Sequence, residues 1–253
     1  MNAKSQATPF ECAETIAELI ENDSLVTMEA KSVANSIPSI DSFEESCTQR
    51  NFVSGDETFV IGSIQSLVDT IGPLSDFISR AYFLKVLDAI MSLHSTGAGH
   101  ENLSVETVWL IDSFEPKLSK LESRPRSSTL SPSHDLFQKK QNENMSKDMF
   151  DLGLILFFMV SGFMPFEVLT EEDDCFKSFS EGNMELFWDL QEAKWYESTG
   201  IVQNQKFREH FRSIVEDLLM ATSTKTVNIS EIKAHRWCQG MSTSFEKVKV
   251  LII

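Results

Sequence analysis

The stretch from His100 to Thr107 carries one histidine and two acids, whose side chains can exchange protons. Glu101 and Glu106 carry carboxylates that could accept a proton, whereas Asn102 is a neutral amide. A simpler interpretation makes both acids solvent-facing loop residues. The cysteines are widely spaced without a CxxC pair, which favours reduced thiols over a disulfide framework or a zinc site: Cys12, Cys47, Cys175 and Cys238.

The uncharged run from Leu152 to Phe166 predicts the central element around which the other helices are laid. A helix that is apolar on every side is buried in protein or in lipid. The run is shorter than the ~18–20 residues that cross a bilayer, so we expect it inside the protein. Ser146 is suited to cap its first turn, where Asp148 and Asp151 would meet the positive end of the helix dipole. We therefore predict a central core helix from Lys147 to about Ser161.

Helices outnumber strands in the rest of the chain. Residues 119–145 are polar and rich in serine, which predicts a long surface loop. The remaining predicted elements are strands at Thr58–Ile61, Thr107–Ile111 and Lys117–Leu118, a short helix at Leu67–Ile71, a long helix from about Leu74 to His94, and three further helices around Cys175–Glu181, Lys206–Leu219 and Ser230–Trp237.

Charge and composition exclude several classes of partner. The net charge is −16, and nucleic acids and anionic lipids both require a basic surface. Residues 1–10 are polar and do not resemble a signal peptide, and the apolar tail Val248–Ile253 is too short to cross a membrane. We expect a cytoplasmic protein that binds neither nucleic acid nor membranes.

Five strings of the sequence occur in an order that is typical of one family: the helix that leads into His100–Leu103, the central helix with Asp148 and Gly153, Gly162–Phe166, Phe187–Trp188, and Glu231–Trp237. With these strings, the chain from about Phe59 to Gly240 resembles the catalytic domain of protein kinases, and its helical C-lobe is similar to that of calcium/calmodulin-dependent-like serine/threonine kinases. The resemblance implies an α+β, protein-kinase-like fold. Residues 1–61 would form a reduced N-lobe and residues 62–253 a mainly helical C-lobe, with 119–145 as an activation-segment-like loop.

The resemblance also implies that the residues of phosphoryl transfer have been replaced. The family's H-R-D-L-x-x-x-N motif falls on residues 100–107, where His100 and Leu103, its packing members, are kept. Asn102 stands in the place of the catalytic aspartate and cannot accept the substrate proton. Losing a general base costs about 10²–10⁴ in rate. Ser104 replaces a lysine that steadies the phosphate, and Thr107 replaces an asparagine that binds metal.

The positions at which the family binds metal and nucleotide also lack the family's residues. The D-F-G motif falls on residues 120–122, so the cation of Lys120 stands where an aspartate would bind Mg²⁺. At ~4 Å and an effective dielectric constant of ~20, one such charge pair is worth about 4 kcal/mol, here repulsive. No glycine-rich loop precedes Gly55, and the position of the lysine strand, near Glu11–Ile16, has no lysine. We expect no ATP or Mg²⁺ cofactor, although Lys120 could contact phosphate in the metal's place.

These observations favour a pseudokinase that acts as a scaffold or an allosteric partner in signalling. The expected partner is a protein, an active kinase being one candidate. One alternative is a divergent ATP-dependent serine/threonine kinase that phosphorylates proteins and uses Glu101 or Glu106 as its base. Another is a truncated product that lacks an upstream segment.

Overall fold

The computed structural model describes residues 60–118, 134–200, 207–221 and 227–252. The predicted N-lobe before residue 60 and the stretch 119–133, which includes Lys120, lie outside the described residues. The boundary between the two lobes therefore stays a prediction. The elements in chain order are β1 (Val60–Ser63), α1 (Ile64–Ile71), α2 (Asp76–Ser95), β2 (Val108–Ile111), β3 (Pro116–Leu118), α3 (His134–Ser161), α4 (Asp174–Ser180), α5 (Met184–Thr199), α6 (Glu209–Leu219), α7 (Ile229–Ala234) and α8 (Phe245–Ile252).

The three described strands form one antiparallel sheet in the order β1-β2-β3. Val108 pairs with Leu118 and Leu110 with Pro116, so the two predicted strands β2 and β3 form a hairpin. Ser63 of β1 pairs with Trp109 on the other side of β2. The strand β2, which follows residue 107, is therefore the central strand, paired with β1 on one edge and with β3 on the other.

Local signals in the sequence set the ends of α1 and α2. Ser63 and Ser66 form a reciprocal capping box that satisfies free backbone N–H groups at the start of α1. Gly72 ends α1 with a φ of +83°, which a glycine adopts without strain. The Ser75 hydroxyl accepts from the Ile78 N–H at the start of α2. Both helices were predicted, and the end of α1 at Ile71 is confirmed, but α1 starts at Ile64, three residues before the expected Leu67, and α2 runs from Asp76 to Ser95 instead of from about Leu74 to His94.

The long helix α3 corrects the prediction for the central element. It starts at His134, twelve residues before the expected cap, so Ser146 lies in mid-helix and is buried. Asp148 does not complement the helix dipole, because it lies about four turns after the first residue of the helix. Residues 134–145 are helical and not part of a surface loop. These residues are polar, so their composition predicted a loop, although they form the first part of a helix whose second part is buried.

Two helices were not predicted. The first is α5, whose buried side chains are Phe187, Trp188, Gln191 and Trp195. The same helix exposes apolar side chains beside acidic ones, so its sequence has almost no amphipathic contrast. The second is α8 near the C-terminus. The helix expected from Lys206 starts at Glu209, and the one expected to end at Trp237 ends at Ala234.

The core is built around α3 and is rich in aromatic rings. Phe157 is fully buried, and its ring centroid lies 5.4 Å from that of Phe207 and 6.2 Å from that of Trp188. Such tilted aromatic contacts add to the stabilisation from burial. In the part of the chain that the structure describes, no helix combines the length and the apolar composition needed to cross a bilayer.

The residues after α7 are fixed to α2 by one arginine. Arg80 is 8% exposed, its Nε donates to the Trp237 carbonyl oxygen at 2.5 Å, and an Nη donates to the Met241 carbonyl oxygen. Its guanidinium also lies 4.7 Å from the centre of the Trp237 ring, at cation–π distance. Burial lowers the pKa of Arg80, and nearby Asp76 opposes this effect.

Candidate functional site

One buried carboxylate of α3 binds the loop between α2 and β2. Asp148 has no solvent exposure, and its Oδ2 accepts from the His100 backbone N–H at 2.7 Å. Its Oδ1 accepts from the Glu101 N–H at 3.1 Å. His94 Nε2, near the end of α2, completes the arrangement at 2.8 Å from Oδ2. A buried carboxylate with three donors fixes the loop to both helices.

The backbone of Glu101 is in an uncommon conformation, and its side chain is held by α3. Its φ is +64°, a left-handed value that is uncommon for a residue other than glycine. The Glu101 carboxylate accepts from Asn144 Nδ2 at 2.6 Å. The alternative in which Glu101 acts as a base must therefore release this carboxylate from the Asn144 amide.

Three of the predicted site residues meet in one turn of the loop. The Thr107 hydroxyl accepts from the Ser104 N–H at 2.8 Å and donates to the Asn102 carbonyl oxygen at 2.9 Å. The side chain of Asn102 is exposed. Thr107 thus uses its hydroxyl to close the turn, and its contacts are structural.

The packing members of the predicted motif are buried as expected. His100 and Leu103 are each 3% exposed, and Val105 is 5% exposed. The Val105 carbonyl oxygen accepts from the Gln65 N–H at 3.1 Å, which ties the loop to the start of α1. The loop is therefore anchored to α1, α2 and α3.

Two glycines allow the close approach on which this arrangement depends. A Cβ at Gly153 would lie 2.9 Å from the Leu218 Cβ of α6, so α3 and α6 touch there. A Cβ at Gly99 would lie 2.8 Å from the Asn144 Cβ and 3.2 Å from an Asp148 carboxylate oxygen. A side chain at either position would force its neighbours to shift, so glycine is favoured at both.

A second acid of α3 has a different environment. Burial raises the pKa of Asp151, while the hydrogen bond and charge of Lys147, one turn earlier, oppose the rise. Lys147 is largely solvent-exposed, and the two residues form an i,i+4 ion pair. Asp151 is therefore a partly paired acid at the edge of the core, whereas Asp148 faces the loop.

The structure brings together His100, Asn102, Leu103, Ser104, Thr107 and Asp148, whereas Gly153 acts at the α3–α6 contact. Lys120 lies outside the described residues. No group of three or more His, Cys, Asp or Glu side chains with the arrangement of a metal site occurs within residues 60–118 and the other described ranges. The sequence interpretation missed Gly99, His94 and Asn144. The four-residue spacing of Asn144 and Asp148 was a usable signal, because it puts both on one helix face.

Comparison with known proteins points to one superfamily. No protein-family model matches the chain. The serine/threonine-protein kinase SRK2A of Arabidopsis thaliana is 23% identical over 189 residues, which cover 70% of this chain and 49% of the kinase. SAPK3 of Oryza sativa is 22% identical over 214 residues, 79% of this chain and 60% of that kinase. The chain spans about half the length of the first curated relatives it matches.

Solved structures agree on the fold. The Rad53 kinase domain, crystallised with SCD2 and AMPPNP, superposes with a TM-score of 0.50 at 18% identity, covering 75% of this chain and 68% of that one. The chain is therefore similar in sequence to serine/threonine-protein kinases and has the fold of a kinase domain. Its α+β, protein-kinase-like fold with a mainly helical C-lobe is thereby confirmed. Among the described residues only β1 precedes the helices, in keeping with a reduced N-lobe.

Proposed function

We propose that this kinase-like chain is a pseudokinase, which binds a protein partner and transfers no phosphate. The observation that carries the proposal is the loop 100–107. Its scaffold is complete, because Asp148 holds the backbone of His100 and Glu101. The loop lacks the groups for phosphoryl transfer, because Asn102 offers a neutral amide and the Thr107 hydroxyl is used within the turn.

The contacts of the nearby acids also support inactivity. Glu101 is the acid next to the aspartate position, and its carboxylate is bound by Asn144 on α3. Glu106 is exposed and lies in the turn closed by Thr107. A base must reach the proton that it abstracts within hydrogen-bond distance, and a carboxylate already bound by an amide is a weaker acceptor.

The proposal includes a role and a place in the cell. A kinase-like C-lobe without transfer chemistry is suited to act as a scaffold or an allosteric partner in signalling, for which an active serine/threonine kinase is a candidate partner. Cys175 and Cys238 are free, buried thiols, which is typical of a reducing compartment such as the cytoplasm. ATP and Mg²⁺ are not part of the proposed function.

Two measurements test the absence of transfer. Incubation with γ-labelled ATP, Mg²⁺ and a generic protein substrate should give no incorporation above a heat-denatured sample, with an active kinase run in parallel. The Asn102→Asp variant should also remain inactive, because it restores a base but no metal ligand. Incorporation by the wild-type chain that Asn102→Ala or Glu106→Gln abolishes would refute the proposal.

A melting experiment tests nucleotide binding independently. A ligand at 100 times its dissociation constant stabilises a protein by about 2.7 kcal/mol. We expect no shift in melting temperature with ATP and Mg²⁺. A shift that saturates with nucleotide concentration would mean that the chain binds ATP.

A further inference from the structure

The exposed apolar side chains of the described residues are concentrated on one part of the surface. Seven large hydrophobic side chains are exposed in these residues, and four of them fall between residues 168 and 196. They are Val168 at 48% exposure, Leu169 at 55%, Leu186 at 45% and Tyr196 at 51%. Single exposed apolar residues are ordinary, but a concentration of them marks an interaction surface.

The loop before α4 and the helix α5 form one unit. Glu167 lies 3.5 Å from the Lys194 ammonium, and Gln191 Nε2 donates to the Pro165 carbonyl oxygen at 2.9 Å. The Asp173 carboxylate closes the loop, because it accepts from the backbone N–H groups of Glu167 at 2.6 Å and of Cys175 at 2.8 Å. The loop is therefore fixed beside α5.

The solvent-facing side of α5 carries three apolar side chains at helical spacing, with the exposed acid Asp189 among them. Leu186, Ala193 and Tyr196 are all exposed, and their spacing of seven and ten residues places them on one side of the helix. At 1.5 Å per residue, the stripe from Leu186 to Tyr196 is about 15 Å long. This length and periodicity fit a second helix that packs alongside.

The charge around these residues decides which partner fits. Ten acidic residues and two lysines lie between Glu167 and Glu197, a net charge of −8, which is half of the −16 of the whole chain in 31 residues. One of the two lysines, Lys194, is paired with Glu167. A second copy of this acidic chain, a nucleic acid or an anionic membrane would be repelled, whereas a basic partner would be attracted.

We propose that the surface formed by residues 167–174 and the exposed side of α5 binds a basic amphipathic helix of a partner protein. Apolar side chains of that helix pack on Leu186, Ala193 and Tyr196, and its lysines or arginines pair with flanking acids such as Glu185 and Asp189. This inference specifies the partner of the binding role proposed above and rests on that role.

Synthetic peptides test the chemistry of the partner. A labelled helical peptide of leucine and lysine, with leucines at i, i+3, i+4 and i+7, should bind the full chain saturably in fluorescence anisotropy. A scrambled peptide of the same composition should bind at least about tenfold more weakly, and a leucine–glutamate helix should not bind. Binding should weaken as salt rises from about 50 to about 500 mM. Equal binding of the helical and scrambled peptides would overturn the proposal.

Paired variants test the position of the surface. Glu185→Lys with Asp189→Lys, and separately Leu186→Ser with Tyr196→Ser, should each weaken binding about tenfold or more. The matched controls are Asp69→Lys with Glu246→Lys, which changes net charge equally at exposed sites elsewhere, and Val250→Ser, which removes another exposed apolar side chain. If the controls weaken binding as much as the paired variants do, the proposed surface is wrong.

Hydrogen exchange on the wild-type chain avoids any effect of a variant on folding. The bound peptide should slow backbone exchange in residues 184–199, and protection confined to other segments would overturn the proposal. Phosphate incorporation is measured separately. A positive result there would remove the proposed inactivity, whereas failure of peptide binding would remove only the proposed partner.

Discussion

Replacing the buried carboxylate of Asp148 with an amide should destabilise the chain strongly. Asn has one acceptor oxygen, which can keep the His100 N–H, while its NH₂ group would face the Glu101 N–H that the lost oxygen bound at 3.1 Å. Hydrogen bonds to a charged group are worth about 1.5–3 kcal/mol, and an unsatisfied buried donor costs about 1–3 kcal/mol. We therefore expect Asp148→Asn to lower the free energy of unfolding by about 3 kcal/mol.

Urea unfolding followed by tryptophan fluorescence measures this loss. For a chain of this size, about 3 kcal/mol corresponds to a melting temperature about 6–12 °C lower. The effect should also be local, so the amides of His100 and Glu101 should exchange faster with deuterium in the variant.

Asp151→Asn is the matched control on the same helix. Burial raises the pKa of Asp151, so its charge is already disfavoured, and its ion-pair partner Lys147 is largely exposed. We expect a change within about 1 kcal/mol, because losing the pair with an exposed lysine is offset by removing a charge that burial disfavours. If Asp148→Asn is equally mild, or Asp151→Asn equally severe, the carboxylate of Asp148 does not hold the loop in the way described.

Three further changes test other parts of the fold. Gly153→Ala places a Cβ 2.9 Å from the Leu218 Cβ, and overpacking of this kind should lower the free energy of unfolding in urea by about 1–3 kcal/mol. Arg80→Met removes the donors to the carbonyl oxygens of Trp237 and Met241, so backbone exchange after residue 241 should speed up and stability should fall by about 2–3 kcal/mol. Burial acts to raise the pKa of Asp173, but four backbone N–H groups together lower it. Its contribution to stability is thus present above about pH 3.9 and lost as the pH falls through the lower pKa of the folded state, so Asp173→Asn should flatten the acid side of the stability curve.

Each of these expectations has an outcome that contradicts it. Unchanged urea midpoints for Gly153→Ala would mean that α3 and α6 can separate without cost. Unchanged exchange after residue 241 in Arg80→Met would show that other contacts hold the C-terminal segment. An acid slope as steep in Asp173→Asn as in the wild type would assign that slope to other carboxylates.

Local signals in the sequence were sufficient where an element is specified by its own residues. The serines and glycines around α1 and α2 fix those ends, because caps and left-handed turns depend on neighbouring residues alone. By contrast, residues 134–145 are polar and were predicted as a loop, although they form the first part of α3. Their helix depends on the buried segment that follows, which short-range composition does not report.

The candidate site divides in the same way. The sequence by itself determined which chemical groups are present: an amide at Asn102, a hydroxyl at Thr107 and no aspartate from residue 95 to residue 111. Only the tertiary structure decided that Asp148 faces the loop, that Asn144 binds Glu101 and that Glu167 lies beside Lys194 of α5. The physical reason is that the sequence specifies the type of each side chain, whereas side chains far apart in sequence come into contact only when the helices pack.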